Sequence, residues 1–356
     1  MRVGAARAAA VRWVAGHARS APGYRGAYFS GSTVGRADDA ELAPSSDVDV
    51  MVVTEEDAPP AKPGKLRYEN ALLEITYVPW AELRDPETVL SSYHLAGSFR
   101  TDTVIDDPTG GLRALYADVS PRFAERHWVR RRCLDARQRV EDRLAAFDAA
   151  APFHEQVPAW MFPTGVTTHV LLVAALRNPT VRLRYRAARE VLTAYGQPEL
   201  HPELLGLLGC ADVSAERVRH HVAELTRTFD ATVPVARTPF FFSSDLTERA
   251  RPIAVDGSLE LIDRGEHREA VFWIVATLAR CHTVLAVDDP ALHTERLPAF
   301  RAAVADLTGI TGTADLLERR DEVLRFLPRL DEAVEKVLAA NPDIIGQRPL
   351  PPQRPL

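Results

Sequence analysis

The sequence YFSGS at residues 28–32 is followed, after a polar loop of residues 33–46, by DVDV at residues 47–50, and these stretches decide the fold of the N-terminal part. The first ends a short apolar run with a Gly-Ser turn, and the second opens a run of valines typical of a buried strand. Side chains alternate across a strand, so Asp47 and Asp49 share one face while Val48 and Val50 enter the core. The sequence therefore predicts two carboxylates held side by side on a strand.

Helical and strand patterns on either side of this stretch predict a small mixed sheet with helices. Residues 3–19 have helical periodicity, and residues 66–78 are predicted to form one strand or one arm of a hairpin. A short strand is predicted at residues 103–105, before a helix over residues 111–116. Residues 1–120 are therefore expected to fold as one domain of strands and helices.

From residue 121 onward the patterns are helical and contain no convincing strand. Residues 121–150 place apolar side chains at helical spacing along one face, and three prolines between residues 151 and 163 predict a loop after that helix. Further helices are predicted over residues 164–177, 180–195, 213–231, 266–286, 289–306 and 312–340. The sequence thus predicts the α+β class, with a mixed-sheet domain at 1–120, an all-helical bundle region at 121–232 and an additional C-terminal helical region at 233–356.

Composition and charge place the chain among ordinary globular proteins. Of its 356 residues, 46% are hydrophobic and 26% are charged, which excludes a disordered chain, a collagen-like fibre and a small disulfide scaffold. The formal net charge of -6 provides no overall attraction for nucleic acid, so a nucleic-acid partner is not expected. Only Lys62, Lys65 and Lys336 are lysines among 43 basic residues, and a GC-rich coding bias toward arginine explains this imbalance at the level of the sequence.

The distribution of cysteines and apolar residues predicts a cytoplasmic protein without a membrane partner. Three cysteines lie far apart and form no C-x-x-C pair, so neither a disulfide framework nor a thiolate zinc site is expected. The N-terminal residues lack the continuous apolar core of a signal peptide. The longest apolar stretch, residues 270–287, contains Arg280 and His282 near its centre, which argues against a membrane span.

The Asp pair and the turn before it contain the residue types that a metal and a triphosphate need. Like charges so close together repel each other unless a cation lies between them, so Asp47 and Asp49 form a reasonable Mg²⁺ site. In the turn, Gly31 permits a close approach of the backbone to a phosphate, and Ser32 adds a hydroxyl donor. The sequence therefore predicts a nucleotide whose phosphates lie beside the metal.

A third acid, Glu74, lies within the apolar run of residues 72–77, where a charge needs a partner. If Glu74 faces the Asp pair, three carboxylates can bind two metal ions about 3.5–4 Å apart. One ion would activate an incoming hydroxyl and the other would hold the triphosphate, as an in-line phosphoryl displacement requires. The predicted reaction class is nucleotidyl transfer, with Asp47, Asp49 and Glu74 as metal ligands and catalytic residues.

These features, in this order, resemble the nucleotidyltransferase superfamily of DNA polymerase β. The signature of that superfamily is a Gly-Ser turn, an acidic pair spaced by one residue on the next strand and a third acid further on. Gly31, Ser32, Asp47, Asp49 and Glu74 match it. The sequence is most similar to kanamycin nucleotidyltransferase and related aminoglycoside nucleotidyltransferases, because it keeps their Gly-Ser-x-x-Gly-Arg run.

That run ends at Arg36, which either contacts phosphate bidentately or is a surface charge. The resemblance covers roughly residues 20–230. It implies a Mg²⁺-dependent enzyme with two ions that transfers a nucleoside monophosphate from an NTP, expected to be ATP, to a hydroxyl group. It also implies that the helical domain helps to bind the acceptor, commonly in a homodimer with active sites between subunits. The expected acceptor is a small molecule, either antibiotic-like or a biosynthetic intermediate.

The resemblance further implies a general base, a glutamate on the first helix of the helical domain that deprotonates the acceptor hydroxyl. The matching position in this chain is Ala145. Glu141, one turn earlier on the same helix face, is therefore the chosen candidate, and Asp142 and Asp148 nearby are alternatives. In the alternative, Glu141 is a solvated partner of Arg137, and Glu74 or the metal activates the hydroxyl. The departure at Ala145 argues against an aminoglycoside as the acceptor.

Two other functions fit the same residues less well. A nucleotidyltransferase of the toxin–antitoxin kind would modify a protein or tRNA, but such proteins are often minimal, whereas this chain has a large helical extension. A catalytically inactive nucleotide-binding module is expected to have lost one of the acids, since that is the simplest route to inactivity. All three acids are present, which favours an active enzyme.

Overall fold

The structure is a computed structural model that describes residues 1–56 and 62–346. It confirms the α+β class: the chain is 61% helical, with a five-stranded mixed sheet in the N-terminal part and helices after it. The last ten residues of the region predicted at 233–356 lie outside the described residues.

The sheet has the strand order β3-β4-β2-β1-β5. Its members are β1 (Tyr24–Ser30), β2 (Val48–Thr54), β3 (Gly64–Tyr68), β4 (Ala71–Pro79) and β5 (Val104–Asp106). Strand β2 pairs in parallel with β4, and the other neighbours are antiparallel. The stretch predicted as one strand or a hairpin arm is the hairpin β3–β4, closed at Glu69 and Asn70, which both have positive φ as a tight hairpin turn requires.

One face of the sheet is covered by α1 (Val3–Trp13), whose small side chains pack against the valines of β2. Because side chains alternate, Val48 and Val50 enter that core and Asp49 faces the opposite side of the sheet. Further along this opposite side, Val53 packs in a second cluster with α2 (Pro86–Ser91) and α3 (Gly111–Val119). The first residues of β2 are thereby left free of that cluster, and the candidate site lies there.

The helices after the sheet share one hydrophobic core. They are α4 (Arg126–Ala145), α5 (Phe153–Ala174), α6 (Arg184–Ala194), α7 (Leu200–Leu207), α8 (Ala215–Thr232), α9 (Gly257–Asp263), α10 (His267–Asp288), α11 (Pro290–Thr308) and α12 (Thr313–Ala340). A single buried cluster includes Trp160 of α5, Phe229 of α8, Phe272 of α10 and Leu330 of α12. The regions predicted at 121–232 and 233–356 therefore contribute to the same core.

The loop predicted around residues 151–163 is wrong beyond its first residues, because α5 begins at Phe153 and contains Pro158 and Pro163. A proline inside a helix removes a backbone hydrogen bond and costs about 3 kcal/mol. Helix α5 packs against α4, α10 and α12 and buries most of its side chains, and this burial offsets the cost.

By length and composition, α5 and α10 are apolar enough to cross a membrane. In each of them, however, 83% of the most apolar 18-residue window is buried inside the fold. The same test is passed by the core helices of proteins that do not span membranes, and burial of this extent is typical of such helices.

Candidate active site

The register of the sheet brings four polar side chains into one row. Ser30 of β1 lies opposite Asp49 of β2, Asp49 lies beside Glu74 of β4, and Glu74 lies opposite Lys65 of β3. Residues paired across neighbouring strands project to the same face of a sheet. Two of the three predicted acids and a lysine thus occupy adjacent positions on three strands.

The turn after β1 lies directly against the Asp pair. Gly31 has a φ of 70°, in the left-handed region that favours glycine, and a Cβ atom at this position would lie 1.8 Å from Oδ2 of Asp49. Its carbonyl oxygen accepts a hydrogen bond of 3.3 Å from the side chain of Asn178. Only glycine therefore allows the backbone to approach the carboxylate so closely.

Asp47, at the start of β2, and Glu74 are joined by a buried lysine. Lys65 Nζ lies 2.5 Å from Oε2 of Glu74 and 3.4 Å from Oδ2 of Asp47, and the side chain of Lys65 is only 5% exposed. The other carboxylate oxygen of Glu74 accepts a hydrogen bond of 2.6 Å from Lys62 Nζ. The structure thus brings all three predicted acids together, and both oxygens of Glu74 are already bound to ammonium groups.

Residues from the C-terminal region border the same site. Lys65 Nζ donates a hydrogen bond of 2.8 Å to Asp245, whose other carboxylate oxygen accepts one of 2.7 Å from Arg280 of α10. No sequence motif marks Lys62, Lys65, Asp245 or Arg280 as functional. A signal for the first two was present, because they are two of the three lysines in a chain that otherwise uses arginine.

The electrostatics of the acids differ with their partners. Burial raises the pKa of Asp49 well above its ordinary value, and the neighbouring charges of Asp47 and Glu74 raise it further. Burial also raises the pKa of Asp47, although the charge of Lys65 opposes this effect. Glu74 is different: burial raises its pKa, but the charges and hydrogen bonds of Lys65 and Lys62 outweigh burial and bring it to about 2.

Burial would lower the pKa of Lys65, but the charges of Asp245, Asp47 and Glu74 outweigh this effect and raise it. Lys65 therefore carries its positive charge at neutral pH. Among the described residues, the carboxylate of Asp49 has neither a hydrogen bond nor an ion pair. A carboxylate without a partner, with its pKa raised by burial and by like charges, is a group that a divalent cation stabilises.

The three acids differ in how well they fit the expected Mg²⁺. Asp47 and Asp49 fit, since they are adjacent on one face and Asp49 is unpaired. Glu74 does not fit as it stands, because a ligand role would require it to leave both lysines. Within residues 1–56 and 62–346, no group of three or more His, Cys, Asp or Glu side chains is arranged to hold a metal ion.

Two cavities meet at Gly31 and Ser32. The smaller, of about 320 Å³, contains the acids and lysines of the site, together with Asp245, Arg280 and an apolar wall formed by Phe241, Phe242, Ile253 and Trp273. The larger, of about 1130 Å³, is lined by six arginines and three glutamates. The turn after β1 thus borders both the smaller cavity, which contains the acids, and the larger cavity, which has more arginines than glutamates in its lining.

The structure separates the two remaining predicted residues. Arg36 lines the larger cavity, where one guanidinium nitrogen donates a hydrogen bond of 2.6 Å to the carbonyl oxygen of Glu41. Glu141 of α4 forms an ion pair of 3.0 Å with Arg137, which also contacts Asp331 of α12, and Glu141 lines neither of the two cavities. Arg36 is therefore brought to the candidate site and Glu141 is not.

Comparison with known proteins adds no family to this description. A scan against protein-family models found no match to the chain, and searches of curated proteins and of solved structures found none either. The resemblance to nucleotidyltransferases therefore rests on the residues and spacings of the sequence itself.

Proposed function

We propose that the protein is a Mg²⁺-dependent nucleotidyltransferase that moves a nucleoside monophosphate from an NTP, with ATP as the expected donor, to a hydroxyl group of a small molecule. One observation carries the proposal: the backbone of Gly31 lies against the unpaired carboxylate of Asp49, beside Asp47. A glycine turn with free N–H groups and an acidic pair are the parts that a metal-bound triphosphate requires.

The larger cavity supports a binding site for the nucleotide. Its lining contains twice as many arginines as glutamates, and the guanidinium group of Arg264 forms no hydrogen bond or ion pair within the described residues. Its volume of about 1130 Å³ slightly exceeds the range of about 300–1,000 Å³ that is usual for small-molecule sites, so it has room for a nucleotide. A triphosphate entering from this side would reach Gly31 and Ser32 with its anionic groups facing guanidinium groups.

Asp47 and Asp49 are the residues proposed to hold Mg²⁺. When bound, Mg²⁺ would offset charge on the transferred phosphate and lower the pKa of a coordinated hydroxyl. The protein's own part is to keep the two carboxylates side by side at the start of β2. Gly31 packs against Asp49, so the backbone that would contact a phosphate lies directly beside the acid. Such fixed positioning supplies much of the rate in phosphoryl transfer.

The smaller cavity is the proposed acceptor side. Its apolar wall of Phe241, Phe242 and Trp273 offers ring surfaces, while Asp245 and Arg280 offer a hydrogen-bond acceptor and donors. A cavity of about 320 Å³ fits one small group of an acceptor and excludes a folded macromolecule. This size and lining suit the hydroxyl-bearing part of a small-molecule acceptor.

Neither Glu141 nor Glu74 is suited to act as the general base for the acceptor hydroxyl. Glu141 is paired with Arg137 outside both cavities, and Glu74, with a pKa of about 2, is a weak proton acceptor at neutral pH. We therefore propose that the hydroxyl is activated at the Asp47–Asp49 site itself. In this proposal Glu74 acts by holding Lys62 and Lys65 beside the acids.

The direct test is mass spectrometry of small-molecule pools incubated with the protein and Mg·ATP. We expect one or more compounds to gain the mass of a nucleotidyl group, which is a nucleoside monophosphate less one water, with stoichiometric release of pyrophosphate. Asp49→Asn, prepared in parallel, should give no product. If hydroxyl-bearing compounds are present and neither adduct nor pyrophosphate forms with any NTP, the proposal is wrong.

A further inference from the structure

We propose that the ammonium group of Lys65 takes the place of a second metal ion, so that this site binds one divalent cation together with the nucleotide. The inference rests on the proposed function and changes its expected metal content from two ions to one. Lys65 is then a positioning residue, because it acts on the substrate through the carboxylates of Asp47 and Glu74.

The contacts of Lys65 are those expected of a cation held between acids. Its Nζ lies 2.5 Å from Glu74, 2.8 Å from Asp245 and 3.4 Å from Asp47. The first two are distances of charge-assisted hydrogen bonds, which are among the strongest polar contacts in proteins. The space between Asp47 and Glu74, where a second ion would need its ligands, is therefore already spanned by a positive charge.

The charge balance of the smaller cavity also favours a single divalent ion. Its lining contains four carboxylates, of Asp47, Asp49, Glu74 and Asp245, and four basic side chains, of Lys62, Lys65, Arg182 and Arg280. The cavity is thus close to neutral before any metal binds. One divalent ion has the unpaired Asp49 as a ligand, whereas a second would find no unpaired carboxylate and would be repelled by Lys62 and Lys65.

The C-terminal region prevents Lys65 from moving aside. Asp245 is held on its other oxygen by Arg280, whose guanidinium lies over the rings of Phe242 and Trp273 at 5.3 and 5.2 Å. If Lys65 moved away, Asp245 would lose one of its two charged partners in a mostly buried position, which is costly. The ammonium is therefore built into the fold and is not a loose surface group.

The start of β3 is fixed in the same way. Gly64 has a φ of 67°, and a Cβ atom there would lie 2.2 Å from Cβ of Ser244, next to Asp245. This close approach of the Gly64 backbone to the side chain of Ser244 sets the distance between β3 and the segment around Asp245, and with it the position of Lys65. The same contact makes the metal content of the N-terminal site depend on the C-terminal region.

The decisive experiment counts Mn²⁺ bound per chain by electron paramagnetic resonance, with a saturating ATP analogue that has a methylene group between the α and β phosphates. We expect one Mn²⁺ per chain for the wild type. Lys65→Ala frees Asp47 and one carboxylate oxygen of Glu74, whose other oxygen stays bound to Lys62, and its count should rise to two. Lys336→Ala, which removes the third lysine of the chain at an exposed position of α12, should leave the count at one.

Two bound Mn²⁺ ions in the wild type, with the transfer activity retained, would overturn this inference and leave the proposed function intact. Failure of both Mn²⁺ and the analogue to bind would overturn the proposed function, and this inference with it. Should Lys65→Ala fail to fold, anomalous scattering from a wild-type crystal with Mn²⁺ gives the same decision. A single peak beside Asp49 supports the inference, and a further peak between Asp47 and Glu74 refutes it.

Discussion

Lys65 and Asp245 form an ion pair of 2.8 Å across a sequence separation of 180 residues. The lysine belongs to β3 of the sheet, and the aspartate belongs to the segment between α8 and α9. Their contact joins the acids of the N-terminal sheet to a region that has no counterpart in the resemblance seen in the sequence. The C-terminal region thus borders the candidate site of its own chain.

The first prediction concerns the unpaired acid of β2. We expect Asp49→Asn to lower transfer by more than about 100-fold, since even the outer partners of metal ligands contribute 10–100-fold. The fold should survive, because the neutral amide removes a buried charge that its neighbours repel. Activity assays and circular dichroism of the variant check both statements, and wild-type turnover would exclude Asp49 as a metal ligand.

The raised pKa of Asp49 also predicts that the stability difference between Asp49→Asn and wild type depends on pH in metal-free buffer. The pKa of Asp49 is higher in the folded state than in the unfolded chain, so its ionisation favours unfolding, and stability is lost as the pH rises from about 3.8 through the folded-state pKa. The stability of Asp49→Asn relative to wild type should therefore increase over this range and then level off. Denaturant unfolding in EDTA at several pH values measures it, and a constant or falling difference would contradict the assignment.

The second prediction concerns the backbone at the turn after β1. Gly31→Ala should lower transfer by about 100-fold or more, because the new Cβ atom would displace the Asp49 carboxylate, and misplacements of about 1 Å cost this much. Gly110→Ala is the matched control, with a similar φ of 75° but nothing within 4 Å of its Cβ atom. Both changes should cost about 1–2 kcal/mol of stability, but only the first should affect activity.

The third prediction concerns ligand linkage. Mg·ATP should raise the melting temperature, by an amount equivalent to about 2.7 kcal/mol at 100 times its dissociation constant, and EDTA should abolish the gain. The reason is that the proposed ligands Asp47 and Asp49 come together only when the sheet is folded. Differential scanning fluorimetry suffices for the measurement. A shift of equal size without metal would favour a nucleotide-binding module without metal chemistry.

The fourth prediction concerns the buried lysine. Lys65→Met should destabilise the protein by about 3–5 kcal/mol, because it leaves the buried carboxylates of Glu74 and Asp245 without a shared cation. Lys336→Met, on an exposed position of α12, should change stability by no more than about 0.5 kcal/mol. Urea denaturation of the two variants gives the comparison, and equal effects would show that the Lys65 ion pairs contribute little.

The fifth prediction concerns the acid on α4. Glu141→Gln should leave kcat within about twofold, since Glu141 pairs with Arg137 on the helix surface, an interaction of about 0.2–0.5 kcal/mol. The steady-state assay must use the natural acceptor once mass spectrometry has identified it. A loss of about 10²–10⁴-fold in kcat would instead show that Glu141 reaches the acceptor as a general base.

The sequence alone was sufficient for the α+β class and for the position of the Asp pair. These depend on local patterns: alternation places Asp47 and Asp49 on one face of a strand, and a glycine before a polar loop marks a turn. The long helices of the C-terminal part were also predictable, because the spacing of apolar residues within one helix is a local property. Glu74 was predictable as an acid on a neighbouring strand, but its partners were not.

Only the tertiary structure decided what surrounds those acids. Lys62, Lys65, Asp245 and Arg280 come from segments far apart in the chain, and no local pattern says that a lysine on β3 will meet an aspartate after α8. The start of α5 is likewise helical although its prolines predict a loop, because burial against three helices outweighs the missing hydrogen bonds. Backbone periodicity is a short-range property that sequence records directly, whereas the pairing of charges is set by strand register and helix packing, which depend on the whole chain.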